Sequence, residues 1–88
     1  MTSTAVSTIT VRVLLFASYS DVLGLDSLDL TIEKPATVGD ALNRLRSLRG
    51  GERLPAKPLC ALNLRHVDTA TRLSDGDELA ILPPLAGG

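Results

Sequence analysis

The chain has 88 residues, a net charge of −1 and 44% hydrophobic content. That composition describes one small folded domain and excludes both a disordered chain and a strongly charged nucleic-acid or membrane-surface binder. No apolar run is long enough to span a bilayer, the single cysteine leaves no internal disulfide, and the only aromatic residues, Phe16 and Tyr19, give no platform for stacking bases.

Residues 1–8 are polar, with no positive charge before the first apolar run, so they do not read as a signal peptide. They are expected to form a disordered extension, with the domain proper over residues 9–82 and a tail over 83–88. A lone cysteine fits a reducing compartment, so a cytoplasmic protein is expected. Ile9 to Phe16 is β-branched and apolar. Ile9, Val11, Val13 and Leu15 share one face by the strand period of two, and Thr10, Arg12, Leu14 and Phe16 share the other. The second face starts polar and ends apolar. Ala17 to Leu23 fits a short helical turn that stops at Gly24. Leu28, Leu30 and Ile32 alternate with Asp29, Thr31 and Glu33, the pattern of a half-buried strand.

The strongest helix signal begins at Thr37. Pro35 precedes it, Thr37 fits the N-cap, and Asp40 stands three residues on as a capping-box partner. Val38, Ala41, Leu42, Leu45 and Leu48 fall on one stripe at helical spacing. Asp40 and Arg44 are spaced for an i, i+4 ion pair. Arg46 and Arg49 suit the negative end of the helix dipole, and Gly50-Gly51 ends the helix. Glu52 to Pro58 reads as a loop and Leu59 to Leu64 as a strand. His66 to Leu73 is irregular, with room for a short strand. Ser74-Asp75-Gly76-Asp77 is a turn, and Glu78 to Leu82 is the last strand. Strands flanking one amphipathic helix in this order predict an α+β fold of the β-grasp, or ubiquitin-like, type: a mixed sheet of about five strands packed on one main helix.

Side-chain chemistry has few candidates. Cys60 and His66 are the only thiol and imidazole. Cys60 lies in the apolar run Leu59-Cys60-Ala61-Leu62, where a buried, inert thiol is expected rather than a nucleophile. No set of residues has metal-ligand spacing. Asp75-Gly76-Asp77-Glu78 has only a fragment of a calcium loop, and no glycine loop fits a phosphate. The last residues, Pro83-Pro84-Leu85-Ala86-Gly87-Gly88, offer different chemistry. Two prolines stop the strand and turn the chain out of the sheet. Six extended residues reach about 20 Å, at roughly 3.3 Å each. Glycine lacks a Cβ, so Gly87 and Gly88 can enter a channel too narrow for other residues. The expected reactive group is therefore the Gly88 carboxylate, activated by a partner enzyme as an acyl-adenylate.

The segments Val11-Arg12-Val13-Leu14-Leu15-Phe16-Ala17, Leu73-Ser74-Asp75-Gly76-Asp77-Glu78 and Leu82-Pro83-Pro84-Leu85-Ala86-Gly87-Gly88, with Asn63 and the helix from Thr37, resemble the small subunit of molybdopterin synthase, the MoaD family. The resemblance runs from Ile9 to Gly88. It implies a sulfur carrier with no catalytic side chains and no bound cofactor of its own. A MoeB-like adenylating enzyme would use ATP and Mg²⁺ on Gly88. A sulfurtransferase or cysteine desulfurase would supply sulfur for a thiocarboxylate. The tail would then enter a MoaE-like large subunit and deliver sulfur to cyclic pyranopterin monophosphate, within a heterotetramer. Related carriers serve thiamin or cysteine synthesis and tRNA thiolation, and a ubiquitin-like modifier of lysines uses the same activation. No nucleic-acid or membrane partner is implied. In a β-grasp sheet the first and last strands are parallel neighbours, so Leu14, Phe16 and Leu82 are expected to form an apolar docking patch beside the tail. The alternative for these side chains is a second small core under the Glu52–Pro58 loop.

Overall fold

A computed structural model describes residues 7–16, 18–55 and 58–83. The elements in order are β1 (Thr8–Leu15), α1 (Ser18–Leu23), β2 (Ser27–Glu33), α2 (Val38–Arg46), a 3-10 turn (Gly51–Arg53), β3 (Leu59–Leu62), β4 (Arg65–Val67) and β5 (Glu78–Leu82). They form one five-stranded sheet in the order β2-β1-β5-β3-β4. β1 pairs antiparallel with β2 and parallel with β5, and β5 and β4 flank β3 in antiparallel register. This mixed sheet with its helix is the β-grasp, ubiquitin-like fold. β1 begins one residue earlier than the expected domain boundary, because Thr8 pairs with Glu33. Residues 1–6 of the expected extension lie outside the described residues.

The period of two decides which face is buried. Ile9, Val11, Val13 and Leu15 from β1, Leu30 and Ile32 from β2, and Leu79 and Ile81 from β5 enter one core with Val38, Ala41, Leu42 and Leu45 of α2. Thr37 and Asp40 close a capping box. The Thr37 N–H donates to Asp40 Oδ2 at 2.8 Å, and the Asp40 N–H donates to Thr37 Oγ1 at 3.2 Å. Asp40 is thereby turned back onto the helix start. The expected Asp40–Arg44 ion pair does not form, and among the described residues the salt bridge is Arg12–Asp29 at 3.5 Å. Arg46 instead donates through Nε to the Leu54 carbonyl at 3.2 Å, tying the helix end to the 3-10 turn.

α2 stops at Arg46, short of Leu48, with Ser47 as C-cap. The glycine pair that follows is dictated by close approach. Gly50 has φ +85, and a Cβ there would sit 2.6 Å from the Val22 carbonyl oxygen. At Gly51 a Cβ would collide with the Leu45 carbonyl oxygen. Within the expected Glu52–Pro58 loop, Leu54 is buried in the main core with the residues of α2, and residues 56–57 lie outside the described residues. The strand expected over Leu59 to Leu64 ends at Leu62. Asn63 and Leu64 take positive φ, 49 and 75, and turn the chain into β4.

Candidate functional site

The sheet has a second face, turned away from α2, and its composition changes along the strands. At one end it carries Thr10 against Thr31 and Arg12 against Asp29. Toward the C-terminal ends of β1 and β5 it becomes apolar. Register places Leu14 beside Ala80, Ala80 beside Ala61, and Ala61 beside His66, in one row across four strands. The next row sets Leu82 beside Leu59. Phe16 follows directly on β1 and is 44% exposed, and Leu59 is 41% exposed. Leu14 and Leu82 are half-buried. Leu14 and Phe16 also line an open cleft of about 460 Å³ with Ser20 and Asp26. Water-facing leucine and phenylalanine grouped in this way are the composition of a contact surface.

The structure thus brings Leu14, Phe16 and Leu82 to one face at one end of the sheet. It adds Leu59 and Ala61, which the linear sequence gives no reason to join to them, since only the antiparallel β3–β5 register does so. Pro83 follows Leu82 at the same end and is half-buried. The remaining tail residues named from sequence, Pro84, Leu85, Ala86, Gly87 and Gly88, lie outside the described residues.

Cys60 takes the opposite side. Its register partners are Ile81 and Val67, and it is buried among core residues. Its Sγ lies 3.6 Å from the Pro58 carbonyl oxygen as a weak donor. Burial pushes the thiol up to about 11, so it stays protonated near neutral pH. His66 is on the neighbouring strand but belongs to the outer row with Ala61, so the sheet separates imidazole from thiol. Cysteine and histidine on opposite faces form no nucleophile–base pair.

The acidic turn is also accounted for by structure. Asp75 Oδ1 accepts the Thr10 N–H at 2.8 Å, and Asp77 Oδ2 accepts the Ser74 N–H at 2.7 Å. Asp77 Oδ1 accepts from Asn63 Nδ2 at 3.0 Å, while Asn63 Oδ1 accepts the Glu78 N–H at 2.9 Å. These carboxylates lock the β3–β4 turn and the approach to β5 onto β1. Among the described residues no cluster of His, Cys, Asp and Glu could hold a metal ion, and no helix is long and apolar enough to cross a membrane.

Comparison with known proteins fits this arrangement. The model of the ThiS family matches residues 13–88, a span that holds β5, the prolines and the Gly-Gly pair. Small archaeal modifier protein 3 of Haloferax volcanii is 34% identical over 85 residues, covering 83% of this chain and 92% of that protein. The crystal structure of small archaeal modifier protein 1 from the same organism superposes with a TM-score of 0.77 at 26% identity, covering 88% of this chain and 99% of that one. A chain from the complex of subunits 1 and 2 of the molybdopterin-converting factor of Helicobacter pylori superposes with a TM-score of 0.66 at 25% identity, covering 91% and 100%. An apolar outer face at the root of a Pro-Pro…Gly-Gly tail, no assembled side-chain nucleophile among the described residues, and these similarities together place the chain in the ThiS family, among the ThiS/MoaD-type ubiquitin-like sulfur carriers and small modifiers.

Proposed function

We propose that this chain is the sulfur-carrier subunit of a molybdopterin synthase. The Gly88 carboxylate attacks the α-phosphorus of ATP on an adenylating enzyme and releases pyrophosphate. The outer sulfur of a cysteine persulfide on a sulfurtransferase or cysteine desulfurase then displaces AMP to form an acyl disulfide. A thiol reductant cleaves its S–S bond to leave the terminal thiocarboxylate. The charge of a free carboxylate is delocalised, so it is a poor electrophile until such a leaving group is installed. ATP and Mg²⁺ belong to the activating enzyme, which also supplies the charge stabilisation. The loaded tail, Pro83 to Gly88, enters the large subunit and gives its sulfur to cyclic pyranopterin monophosphate. Two such transfers build the dithiolene.

The observation that carries this reading is the placement of Leu14, Phe16 and Leu82 on one exposed face at the end of the sheet from which Pro83 departs. A docking face next to the root of a thin reactive arm suits an acyl carrier that must present its terminus inside another protein. Similarity to subunit 1 of a converting factor whose structure holds subunits 1 and 2 together supports the partner class. The direct experiment is mass spectrometry of the chain after incubation with its activating enzyme, ATP and a sulfur donor. The expected product carries sulfur in place of one oxygen at Gly88.

The similarity to small archaeal modifier protein 3 favours a second reading, in which Gly88 forms an amide with lysines of target proteins. Activation by adenylation is common to both. Lysine adducts on other proteins, with no thiocarboxylate, select the modifier; a thiocarboxylate selects the carrier.

A further inference from the structure

β2 is an edge strand, and its open side has features of a self-pairing surface. Its hydrogen-bonding phase follows from the ends of the β1–β2 ladder. The Leu15 N–H donates to the Asp26 carbonyl at 2.8 Å, and the Lys34 N–H donates to the Ser7 carbonyl at 3.0 Å. Even-numbered residues of β2 therefore turn their backbone groups toward β1. Ser27, Asp29, Thr31 and Glu33 turn theirs to the open edge. Among the described residues no backbone group occupies that edge. The strand has seven residues, Ser27–Glu33, with no proline, lysine or bulge inside it. Proline, lysine and bulges blunt an edge against pairing, and the charged side chains this strand does carry are Asp29 and Glu33. β4, at the other edge, has three residues and offers a much shorter ladder.

We infer that β2 pairs antiparallel with β2 of a second copy, about a two-fold axis at Leu30, to make a continuous ten-stranded sheet. The charge pattern selects this register. In an antiparallel pair, edge-facing residues must oppose edge-facing residues. A two-fold axis at Asp29 sets Asp29 against itself, and an axis at Thr31 sets Asp29 against Glu33. Both oppose like charges, which destabilises a ladder. An axis at Leu30 sets Asp29 against Thr31 and Ser27 against Glu33, so each acid meets a hydroxyl. The same axis uses the whole strand and sets Leu28 against Ile32 and Leu30 against Leu30 on the core-facing side. Arg12 stays beside each Asp29 and reduces the repulsion between the two diagonal aspartates.

The pairing is isologous and closes at two copies, whereas β2 against β4 would run on as an open filament. A groove of about 550 Å³ beside the edge, lined by Ile32, Asn43, Arg44 and Ser47 among others, leaves room for the added strand against α2. Leu14 and Phe16 lie on and just after β1, one strand in from this edge, and Leu82 and Pro83 lie on and just after β5, two strands in. Self-pairing through β2 therefore leaves them uncovered and is compatible with docking of the tail. One strand pair makes a small interface, so the dimer is weak and concentration-dependent.

The experiment is backbone amide hydrogen exchange on the full chain from micromolar to millimolar concentration, with sedimentation equilibrium on the same samples. The Asp29 and Thr31 amides gain protection as concentration rises, and the mass moves toward the dimer. Two substitutions at the exposed Thr31 read the register. T31K places a cation opposite Asp29 of the second copy at two symmetric positions and tightens the dimer about three- to tenfold. T31E places a like charge there and weakens it by a similar factor. Amide protection that does not change with concentration, a monomer mass throughout, or a shift of both variants in the same direction overturns the inference.

Discussion

At the scale of single residues, two positions carry predictions that do not depend on a partner. Cys60 and Met1 carry the only sulfur atoms of the sequence, yet the placement of Cys60 argues against any part in sulfur transfer. Cys60→Ala is expected to fold, to cost at most about 2–3 kcal/mol from trimming a buried side chain, and to leave thiocarboxylate formation intact. Loss of product in a folded variant contradicts this. The thiol also has a pH signature. Its folded value near 11 lies above the ordinary 9.0, so between these values the folded state holds the proton that the unfolded chain has released. Stability is therefore unaffected below about pH 9 and falls as pH rises toward 11, by about 1–2 kcal/mol from this group. Urea midpoints across that range, wild type against Cys60→Ala, isolate the effect. Leu64 is the second position. It is 90% exposed with φ 75, so it gains little from burial while a Cβ-bearing residue is held in the left-handed region. Leu64→Gly is expected to raise stability by about 0.5–1 kcal/mol, read as a higher urea midpoint.

At the scale of elements, the sequence was most legible where one local rule decides. The Thr37–Asp40 spacing, the apolar stripe behind it and the glycine pair after it give α2 its start, face and end to within a few residues. Alternation placed β1, β2 and β5 with their buried faces correct. The turn at Asn63-Leu64 was not legible, because a leucine after an apolar run reads as more strand. What turns the chain is the long-range clamp of Asn63 onto Asp77 and Glu78. The outer face was legible in part for the same reason. Leu14, Phe16 and Leu82 follow from strand periods and the fold type, whereas Leu59 and Ala61 join them only through cross-strand register. In the proposed carrier this face binds both the activating enzyme and the large subunit. Phe16→Ala is expected to weaken binding to the large subunit by about 2 kcal/mol or more, as for a central aromatic anchor. Calorimetry on the folded variant checks this, and unchanged affinity for both partners removes the patch from the proposal.

At the scale of the whole molecule, the account divides labour between a rigid handle and an arm. The β-grasp domain supplies recognition, and among the described residues it assembles no Cys–His pair or metal cluster. The reaction is assigned to the last residue of the tail. If one outer face serves both partners, the two complexes exclude one another, and the carrier must leave the activating enzyme before it can deliver sulfur. Adding the large subunit should then displace the chain from its activating enzyme in a competition assay. The central claim, that the Gly88 carboxylate carries the chemistry, is tested most directly by mass spectrometry of three forms incubated with activating enzyme, ATP and a sulfur donor: the wild type, a form lacking Gly88, and a form with one residue added after it. The account predicts a terminal thiocarboxylate on the wild type and none on either altered tail, with all three folded. Sulfur loaded onto either altered chain would contradict it.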